Sequence, residues 1–302
     1  MIHYNAFSRE YKRIVSQKNQ EKTKECTTDM NLSDVTKVFE DLTGYIQQGD
    51  TAPFENLFTD GHISVNVPRY GQIGNNIVFG RYLRQVRLWM RDRDDLRFEY
   101  WGTVPSADEK HLAINGVYYF MIHDAEFDYH KELHIPVSVM CEMEDGKIRT
   151  ARVYYSTHWV AGHNITRPAM LNEDPTLIDS LPELEKLYFK CLWAGDSKPI
   201  LDRILDHNAY FMGTAYSFNQ GPDLVKTFNG LFKDGKNTEL RLCTAFEAPH
   251  FLVVEYMNHR SGGNPNTPSA GMAIYQYNDE GKIIAVRLAG DSSFDHWLWP
   301  TL

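Results

Sequence analysis

The sequence lacks an apolar run long enough to cross a bilayer, for which about 18 consecutive apolar residues are needed. Its N-terminus carries charged residues where a secretory signal peptide would need an apolar centre. Cysteine is scarce, because the four cysteines lie far apart and form no C-x-x-C pair. We therefore expect a soluble, cytoplasmic protein without structural disulfides.

Positive charge and nucleotide-binding motifs are also scarce. Lys and Arg number 31 against 40 for Asp and Glu, which gives a net charge of -9. Nucleic-acid binding relies instead on clustered Lys and Arg. The sequence contains no glycine-rich nucleotide fingerprint, phosphate-binding loop or Ser-His-Asp spacing. These absences argue against a nucleic-acid partner, a redox role and phosphoryl transfer.

What the sequence does contain is a repeat. Residues 144–155 and 279–290 share an acidic turn, then Gly-Lys-Ile, then a β-rich run with Arg152 or Arg287 six residues after the glycine. This pattern is typical of a final hairpin and last strand. With 302 residues, 42% of them hydrophobic, the chain can fill two cores. The repeat therefore predicts two tandem domains.

Each copy contains a helical part followed by strands. An apolar stripe from Val35 to Ile46 predicts a first helix that ends at Gly49, and a matching helix ends at Gly195. A second helix, a short strand, a third helix and then four more strands follow in each copy. Runs of consecutive apolar residues, such as residues 117–121, predict strands that are covered on both faces. One face would pack on the helices of its own copy and the other on the sister sheet.

The predicted organisation of the chain has four parts. They are an N-terminal arm at residues 1–30, a first domain at residues 31–160, a linker at residues 161–179 and a second domain at residues 180–302. The arm is polar and of mixed charge, so we expect it to be mobile.

Three helices, a Gly-Asp after the first of them, and a Gly-Lys-Ile hairpin before the last strand resemble the nuclear transport factor 2-like superfamily. The closer resemblance is to its SnoaL-like (polyketide cyclase-like) and ketosteroid isomerase-like branch. It implies an α+β fold of two tandem cone-shaped domains, each with three helices packed on a strongly bent antiparallel sheet. It also implies a small-molecule pocket in the cone and no cofactor. The two copies would imitate the dimer that such proteins often form, and a homo-oligomer of the whole chain stays open.

The catalytic residues of the ketosteroid isomerase-like family are not all found at the matching positions of this sequence. The carboxylate base of that family falls at Asn66 or Val67 in the first copy and at Met212 in the second. The tyrosine on helix one falls at Leu42, although Tyr188 matches it in the second copy. We therefore do not expect the ketosteroid isomerase mechanism.

A different acid-base set follows from strand parity. His62 and Asn66 share one side of the strand after helix two, and His134 and Ser138 share one side of the penultimate strand. If both sides face the interior, a histidine could transfer a proton while Tyr45, Tyr70 or Tyr118 binds the developing oxyanion. The alternative is that both histidines are surface residues or residues satisfied within the core.

Aromatic and acidic residues expected around the two pockets are the candidates for binding substrate. They are Tyr70, Trp101, Tyr118, Tyr154, Tyr188, Tyr256, Tyr275 and Asp291. The segment 123–134 is rich in His and acidic residues, and Asp124, Glu126, Asp128 and His130 would share one side of an extended strand. A solvated hairpin tip explains this composition as well, and we expect no metal.

These observations predict a cofactor-independent enzyme, a lyase or isomerase of SnoaL-like type, with its active site in the first copy. It would dehydrate, isomerise or cyclise a small, apolar, oxygenated metabolite by acid-base proton transfer. The alternative is a non-catalytic module of the same fold that binds a small molecule or mediates assembly. The two hypotheses differ in whether polar residues meet inside a closed pocket.

Overall fold

The computed structural model describes residues 32–68, 70–89, 97–124, 129–156, 171–213, 218–235, 238–260 and 269–291. The predicted N-terminal arm lies outside these ranges. The described residues form two six-stranded sheets, one built from residues 65–154 and the other from residues 205–290. We call residues 32–156 the first half and residues 171–291 the second half.

The described residues of the first half form four α-helices, a 3-10 helical turn (Thr59–Gly61) and six strands. The helices are α1 (Leu32–Glu40), α2 (Leu42–Gln48), α3 (Ala52–Glu55) and α4 (Asn76–Trp89). The strands are β1 (Val65–Val67), β2 (Gly71–Ile73), β3 (Arg97–Pro105), β4 (His111–Asp124), β5 (Tyr129–Glu144) and β6 (Lys147–Tyr154), arranged in the order β2-β1-β6-β5-β4-β3.

The second half repeats this plan. Its helices are α5 (Leu177–Ser180), α6 (Glu183–Ala194), a π-helical turn (Ile200–Ile204) and α7 (Gly221–Gly235). Its strands are β7 (Leu205–Met212), β8 (Phe218–Gln220), β9 (Thr238–Ala248), β10 (Phe251–Arg260), β11 (Ser269–Tyr277) and β12 (Ile283–Gly290), in the order β8-β7-β12-β11-β10-β9. The predicted tandem α+β architecture is thus confirmed.

Three details differ from the prediction. Each sheet has a sixth strand, β2 or β8, where the sequence predicts five. The first helix is broken at Asp41 into α1 and α2. The sheets are mixed and not purely antiparallel, because β1 pairs in parallel with β6, and β7 in parallel with β12. No tight turn joins the strands of either parallel pair, since most of a half lies between them. Their relative direction is therefore not constrained to be antiparallel.

Glycines at the predicted positions end the helices and form the hairpin. Gly49 ends α2 at φ 64° and Gly195 ends α6 at φ 72°, both in the left-handed region that favours glycine. Asp145 and Gly146 also have positive φ values, 49° and 75°. Two successive residues with positive φ form the turn that best matches the twist of a two-residue hairpin, and they join β5 to β6.

Both faces of each sheet are covered, as predicted. On β5, Val137, Val139 and Cys141 pack in the core between the first sheet and its helices. The alternate residue Met140 packs in a second cluster with Met272 and other residues of the second half. The two halves therefore contact each other through their sheets. No helix in the described ranges is both long and apolar enough to cross a membrane.

Part of the predicted linker belongs structurally to the second half. The backbone N–H of Asp174 donates to the carbonyl of Leu242 on β9, at 2.9 Å. The Glu173 carboxylate accepts a hydrogen bond from Arg241 and contacts the imidazole of His259. Residues 173 and 174 thus follow the edge of the second sheet.

Candidate functional site

A cavity of about 60 Å³ lies between the helices and the sheet of the first half. Its walls are mainly aliphatic and aromatic side chains from both layers, together with Asn115 and Cys141. Those used below are Leu42, Phe54, Phe98, Tyr118, Val139 and Cys141. The cavity lies in the first half, the copy in which the sequence predicts the active site.

Few polar groups reach this cavity. The Tyr118 ring packs edge-on against Phe98, with ring centroids 5.3 Å apart, and against Tyr155 at 6.3 Å. The Tyr82 hydroxyl donates to the Tyr155 hydroxyl at 3.2 Å. Within the described part of the chain, the Tyr118 hydroxyl makes no hydrogen bond. Asn115 also lines the cavity, and its buried Oδ1 accepts no hydrogen bond from the described residues. The Tyr118 hydroxyl and Asn115 Oδ1 are therefore the polar groups of the wall that can receive a partner.

The polar wall groups are neutral near pH 7. Burial raises the pKa of Tyr118 well above its ordinary value, and the neighbouring Tyr82 raises it further. Burial also raises the pKa of the Cys141 thiol to about 12. A protonated thiol is a poor nucleophile, and a neutral phenol is a hydrogen-bond donor. The wall can thus donate a hydrogen bond from Tyr118 and accept one at Asn115 Oδ1, but it offers no strong base.

The predicted catalytic residues on β1, and in the segment just before it, do not face this cavity. His62 is exposed, whereas its neighbour Ile63 is fully buried in the first core. Val65 and Val67 also pack in that core, so Asn66, which alternates with them, lies on the other face of β1. The structure therefore inverts the strand parity that was expected to bring His62 and Asn66 inside.

The same inversion occurs on β5. The His134 ring packs on Tyr119, 4.5 Å away, and Tyr119 belongs to a cluster with Met212 of the second half. Ser138 is buried, but it alternates with Val137 and Val139, which face the helices. The predicted convergence of polar side chains inside the first half therefore does not occur.

The remaining candidate of this set, Tyr45, packs at the edge of the first core, 5.8 Å from Phe54. Burial and the nearby Asp41 and Asp50 raise its pKa. Tyr45 does not belong to the cavity wall.

Of the predicted substrate-binding residues, Tyr118 lines the cavity. Tyr70 is 40% exposed, and its ring contacts Tyr82 from outside. Trp101 and Tyr154 lie between the two sheets, in clusters with residues of the second half. The structure does not bring these four aromatic residues together.

The candidates in the second half lie in its own core. Tyr188, Tyr256 and Tyr275 are each at most 5% exposed. Burial raises the pKa of all three phenols. Asp291 is buried at the end of β12, where its backbone N–H donates to Ala270 at 2.9 Å and its charge raises the pKa of Tyr256 further.

The most polar buried cluster lies between the two halves and was not predicted. Arg152 on β6 donates through Nε and Nη2 to the two carboxylate oxygens of Glu255 on β10, at 2.7 and 2.8 Å. The Tyr154 hydroxyl donates to Glu255 at 2.7 Å, and Arg152 Nη1 donates to Glu142 at 2.6 Å. Glu255 is fully buried. These four residues, which we call the interface network, join the two sheets.

The position of Arg152 was visible in the sequence, because Arg287 repeats it six residues after the second Gly-Lys-Ile glycine. An arginine inside a buried strand needs a buried partner. In the second half Arg287 donates to Gln276 and to Tyr210, and its guanidinium lies 5.8 Å from the Trp101 ring centroid. The repeat signalled a buried charge but not its partner.

Glu142 makes the stability of the interface network depend on pH. Burial raises its pKa, but hydrogen bonds and charge from Arg152 and Arg149 outweigh burial, so the net pKa lies below the ordinary value. Its stabilising contribution is therefore present above the ordinary glutamate pKa of about 4.3 and is lost as pH falls through the lowered value. We expect Glu142→Gln to flatten the pH dependence of the urea midpoint between pH 7 and pH 3. An unchanged slope would contradict this assignment.

The predicted alternative of a metal in segment 123–134 falls largely outside what the structure describes. Residues 125–128 lie outside the described ranges, and the side chains of residues 120–133 are not described. Among the side chains that are described, no group of three or more His, Cys, Asp or Glu residues is arranged to hold a metal ion.

The sequence matches no family model and no curated protein. Similar solved structures include an NTF2-like protein of unknown function from Mesorhizobium loti, with 13% identity over 39% of this chain and 95% of that one, at a TM-score of 0.32.

Two others are a protein with a ketosteroid isomerase-like fold from Catenulispora acidiphila and a SnoaL-like family protein from Agrobacterium tumefaciens. The first has 14% identity over 43% of this chain and 89% of that one, at a TM-score of 0.32. The second has 12% identity over 35% and 92%, at a TM-score of 0.29. The solved structures that this chain resembles thus carry the NTF2-like, ketosteroid isomerase-like and SnoaL-like names.

Proposed function

We propose that the first half binds a small, neutral, mainly apolar molecule in its cavity and does not transform it. The observation that carries this proposal is the composition of the wall. Among the described residues that line the cavity there is no Asp, Glu or His. Acid-base chemistry near pH 7 needs a group that can accept a proton there, and burial raises the pKa of both the Tyr118 phenol and the Cys141 thiol. The binding alternative predicted from sequence is therefore favoured over the enzyme.

The volume limits the size of the molecule. A water molecule needs roughly 10–15 Å³ of cavity volume measured in this way, so about 60 Å³ accommodates on the order of four or five heavy atoms. Pockets for drug-sized ligands occupy roughly 300–1,000 Å³. A steroid or polyketide is therefore too large, and the ligand belongs to the class of short alcohols, ketones or similar molecules.

The polarity of the wall limits the charge of the molecule. The aliphatic and aromatic side chains around the cavity offer no counter-charge, and transfer of an unpaired ion into such an environment is strongly unfavourable. The Tyr118 hydroxyl can donate one hydrogen bond to a ligand oxygen. We therefore propose a ligand with a single oxygen atom at one end and an apolar remainder.

The size also sets an upper limit on affinity. The best very small ligands gain about 1.5 kcal/mol per heavy atom. For about five heavy atoms this corresponds to a Kd on the order of micromolar at the tightest. Millimolar to micromolar binding is therefore the expected range.

Tyr118→Phe tests the proposed hydrogen bond. We expect it to weaken binding of 2-butanone by roughly 2- to 10-fold, because a net hydrogen bond contributes about 0.5–1.5 kcal/mol. Binding of cyclopentane, which has the same number of heavy atoms, should change by less than about twofold, since it forms no hydrogen bond. Both Kd values can be measured from protein NMR shift titrations.

Tyr70→Phe is the matched control, because it removes the same hydroxyl from an exposed tyrosine outside the cavity. It should leave both affinities unchanged. Equal weakening of both probes by Tyr118→Phe would contradict the hydrogen bond. The absence of saturable binding of either probe to the wild-type protein would contradict the proposed function itself.

A solvent-isotope experiment separates binding from catalysis. A proton-transfer enzyme acting on a carbonyl compound would exchange the α-hydrogens of 2-butanone with deuterium from D₂O. We expect no exchange above the buffer rate. Exchange that is lost in His134→Ala or His62→Ala would restore the enzyme prediction, although neither residue reaches the cavity.

A further inference from the structure

At two of the positions where the interiors of the two halves differ, the second half carries a tyrosine. Leu42 lies seven residues before the glycine that ends its helix, Gly49, and Tyr188 lies seven residues before Gly195. The second pair is Cys141 on β5 and Tyr275 on β11, which we identify through strand register.

Cys141 and Tyr275 are related by pairing to the last strands. Cys141 pairs with Ala151, five residues after Gly146, and Tyr275 pairs with Val286, five residues after Gly281. Both Leu42 and Cys141 line the cavity of the first half. The second half therefore carries a tyrosine at each of two positions where the first half borders empty space.

The two tyrosines fill that region of the second half. Their rings contact each other edge to face, with centroids 5.1 Å apart. Tyr188 also packs against Phe228, at 6.5 Å, and Tyr275 against Phe189, at 6.3 Å. Burial raises the pKa of both phenols, which is consistent with a dry, closely packed interior.

Another difference between the halves does not account for the cavity. Gly116 on β4 lies under the Phe98 ring, and a Cβ there would be 2.3 Å from Phe98 Cζ. Gly271 on β11 lies under the Tyr256 ring in the same way, at 2.4 Å from Tyr256 Cζ. Each half thus has one glycine under one aromatic ring. This pairing occurs in both halves, so it does not explain why the first half has the cavity.

We infer that Tyr188 and Tyr275 are a built-in plug, and that Leu42 and Cys141 keep the equivalent space open. The chain would accordingly have one ligand site, in the first half, whose volume is set by residues 42 and 141. This inference rests on the proposed function, and it adds the residues that determine which half binds. The second half then serves as a packed partner that covers the outer face of the first sheet.

Xenon is a suitable probe, because it occupies dry apolar cavities without needing a hydrogen bond. In xenon-pressurised crystals of the full wild-type chain we expect one anomalous peak inside a half, in the first-half cavity. In the double variant Tyr188→Leu/Tyr275→Cys, which gives the second half the residues of the first, we expect a second peak between α6 and β11. Tyr188→Phe/Tyr275→Phe keeps both rings and should retain one peak.

The reverse change tests the same positions. Cys141→Tyr is expected to remove the first-half peak and to weaken 2-butanone binding at least tenfold. Circular dichroism and the Tm establish that each variant is folded before its xenon peaks and its affinity for 2-butanone are compared with those of the wild-type protein. If Cys141→Tyr does not fold, the double variant of the second half decides the question.

The outcomes separate the two proposals. A wild-type crystal without xenon in the first half would overturn the proposed function. A wild-type peak in the first half, with no second peak in the folded Tyr188→Leu/Tyr275→Cys variant, would overturn the plug while leaving the proposed function intact. A second peak in the double phenylalanine variant would also overturn the plug, because the rings would still be present.

Discussion

Glu255→Ala is expected to lower the free energy of unfolding by about 3–5 kcal/mol, the cost of removing one partner from a buried ion pair. The variant leaves the Arg152 guanidinium, 6% exposed, without its bidentate partner, and the Tyr154 hydroxyl without its acceptor. Glu142 still contacts Arg152, so we expect the lower part of this range. Urea unfolding at pH 7 measures the change.

Arg149→Ala is the matched control for this prediction. It removes an ion pair to the same carboxylate, Glu142, but the Arg149 side chain is 59% exposed. Exposed pairs contribute about 0–1 kcal/mol. Arg152→Met/Glu255→Leu should cost less than Glu255→Ala, because a buried pair can be replaced by apolar side chains with little loss. A cost below about 1 kcal/mol for Glu255→Ala would contradict the role of the interface network.

Gly116→Ala is expected to destabilise the protein by about 1–3 kcal/mol, as overpacking of a core does. The added Cβ would lie 2.3 Å from Phe98 Cζ and 2.5 Å from the carbonyl oxygen of Glu99. The backbone oxygen cannot move aside by a rotamer change, so the strand or the Phe98 ring must shift. Since Phe98 lines the cavity, we also expect weaker 2-butanone binding.

Gly44→Ala provides the comparison, because nothing lies within 4 Å of a Cβ at this helical position. Alanine in a helix is favoured over glycine by about 1 kcal/mol, so this variant should be slightly more stable than the wild-type protein. Thermal and urea unfolding measure both substitutions. A neutral Gly116→Ala would show that Phe98 is not held against β4 as described.

The sequence predicted the architecture well because the repeat supplied independent evidence at each position. The glycines that end α2 and α6 and the turn at Gly146 each require a left-handed backbone, and all three have it. The break of the first helix at Asp41 was not predicted, since the apolar stripe continues through it from Val38 to Leu42.

The orientation of side chains could not be predicted in the same way. Strand parity separates an interior from an exterior only when one face is polar. On β5, residues 135 to 141 are all buried because helices cover one face and the sister sheet the other. The pattern therefore did not show which face Ser138 occupies. His134, on the same strand, was assigned to the cavity for this reason.

The cavity could not be predicted from the sequence either, because it depends on a difference in side-chain volume between corresponding positions of the two halves. Leu42 and Cys141 are as apolar as any core residue, and their effect appears only beside Tyr188 and Tyr275 in the folded chain. Tyr118, which lines the cavity, was one of eight aromatic or acidic candidates for binding substrate. Arg152 carried the signal of a buried network in its repeat by Arg287.

The most direct test of a ligand site in the first half is a crystal structure of the full chain soaked with 2-butanone. We expect density inside the cavity, with the ligand oxygen within about 3.2 Å of the Tyr118 hydroxyl. Tyr118→Phe crystals should show lower occupancy at the same concentration. An empty first-half cavity in soaked wild-type crystals, with 2-butanone bound elsewhere, would contradict the account.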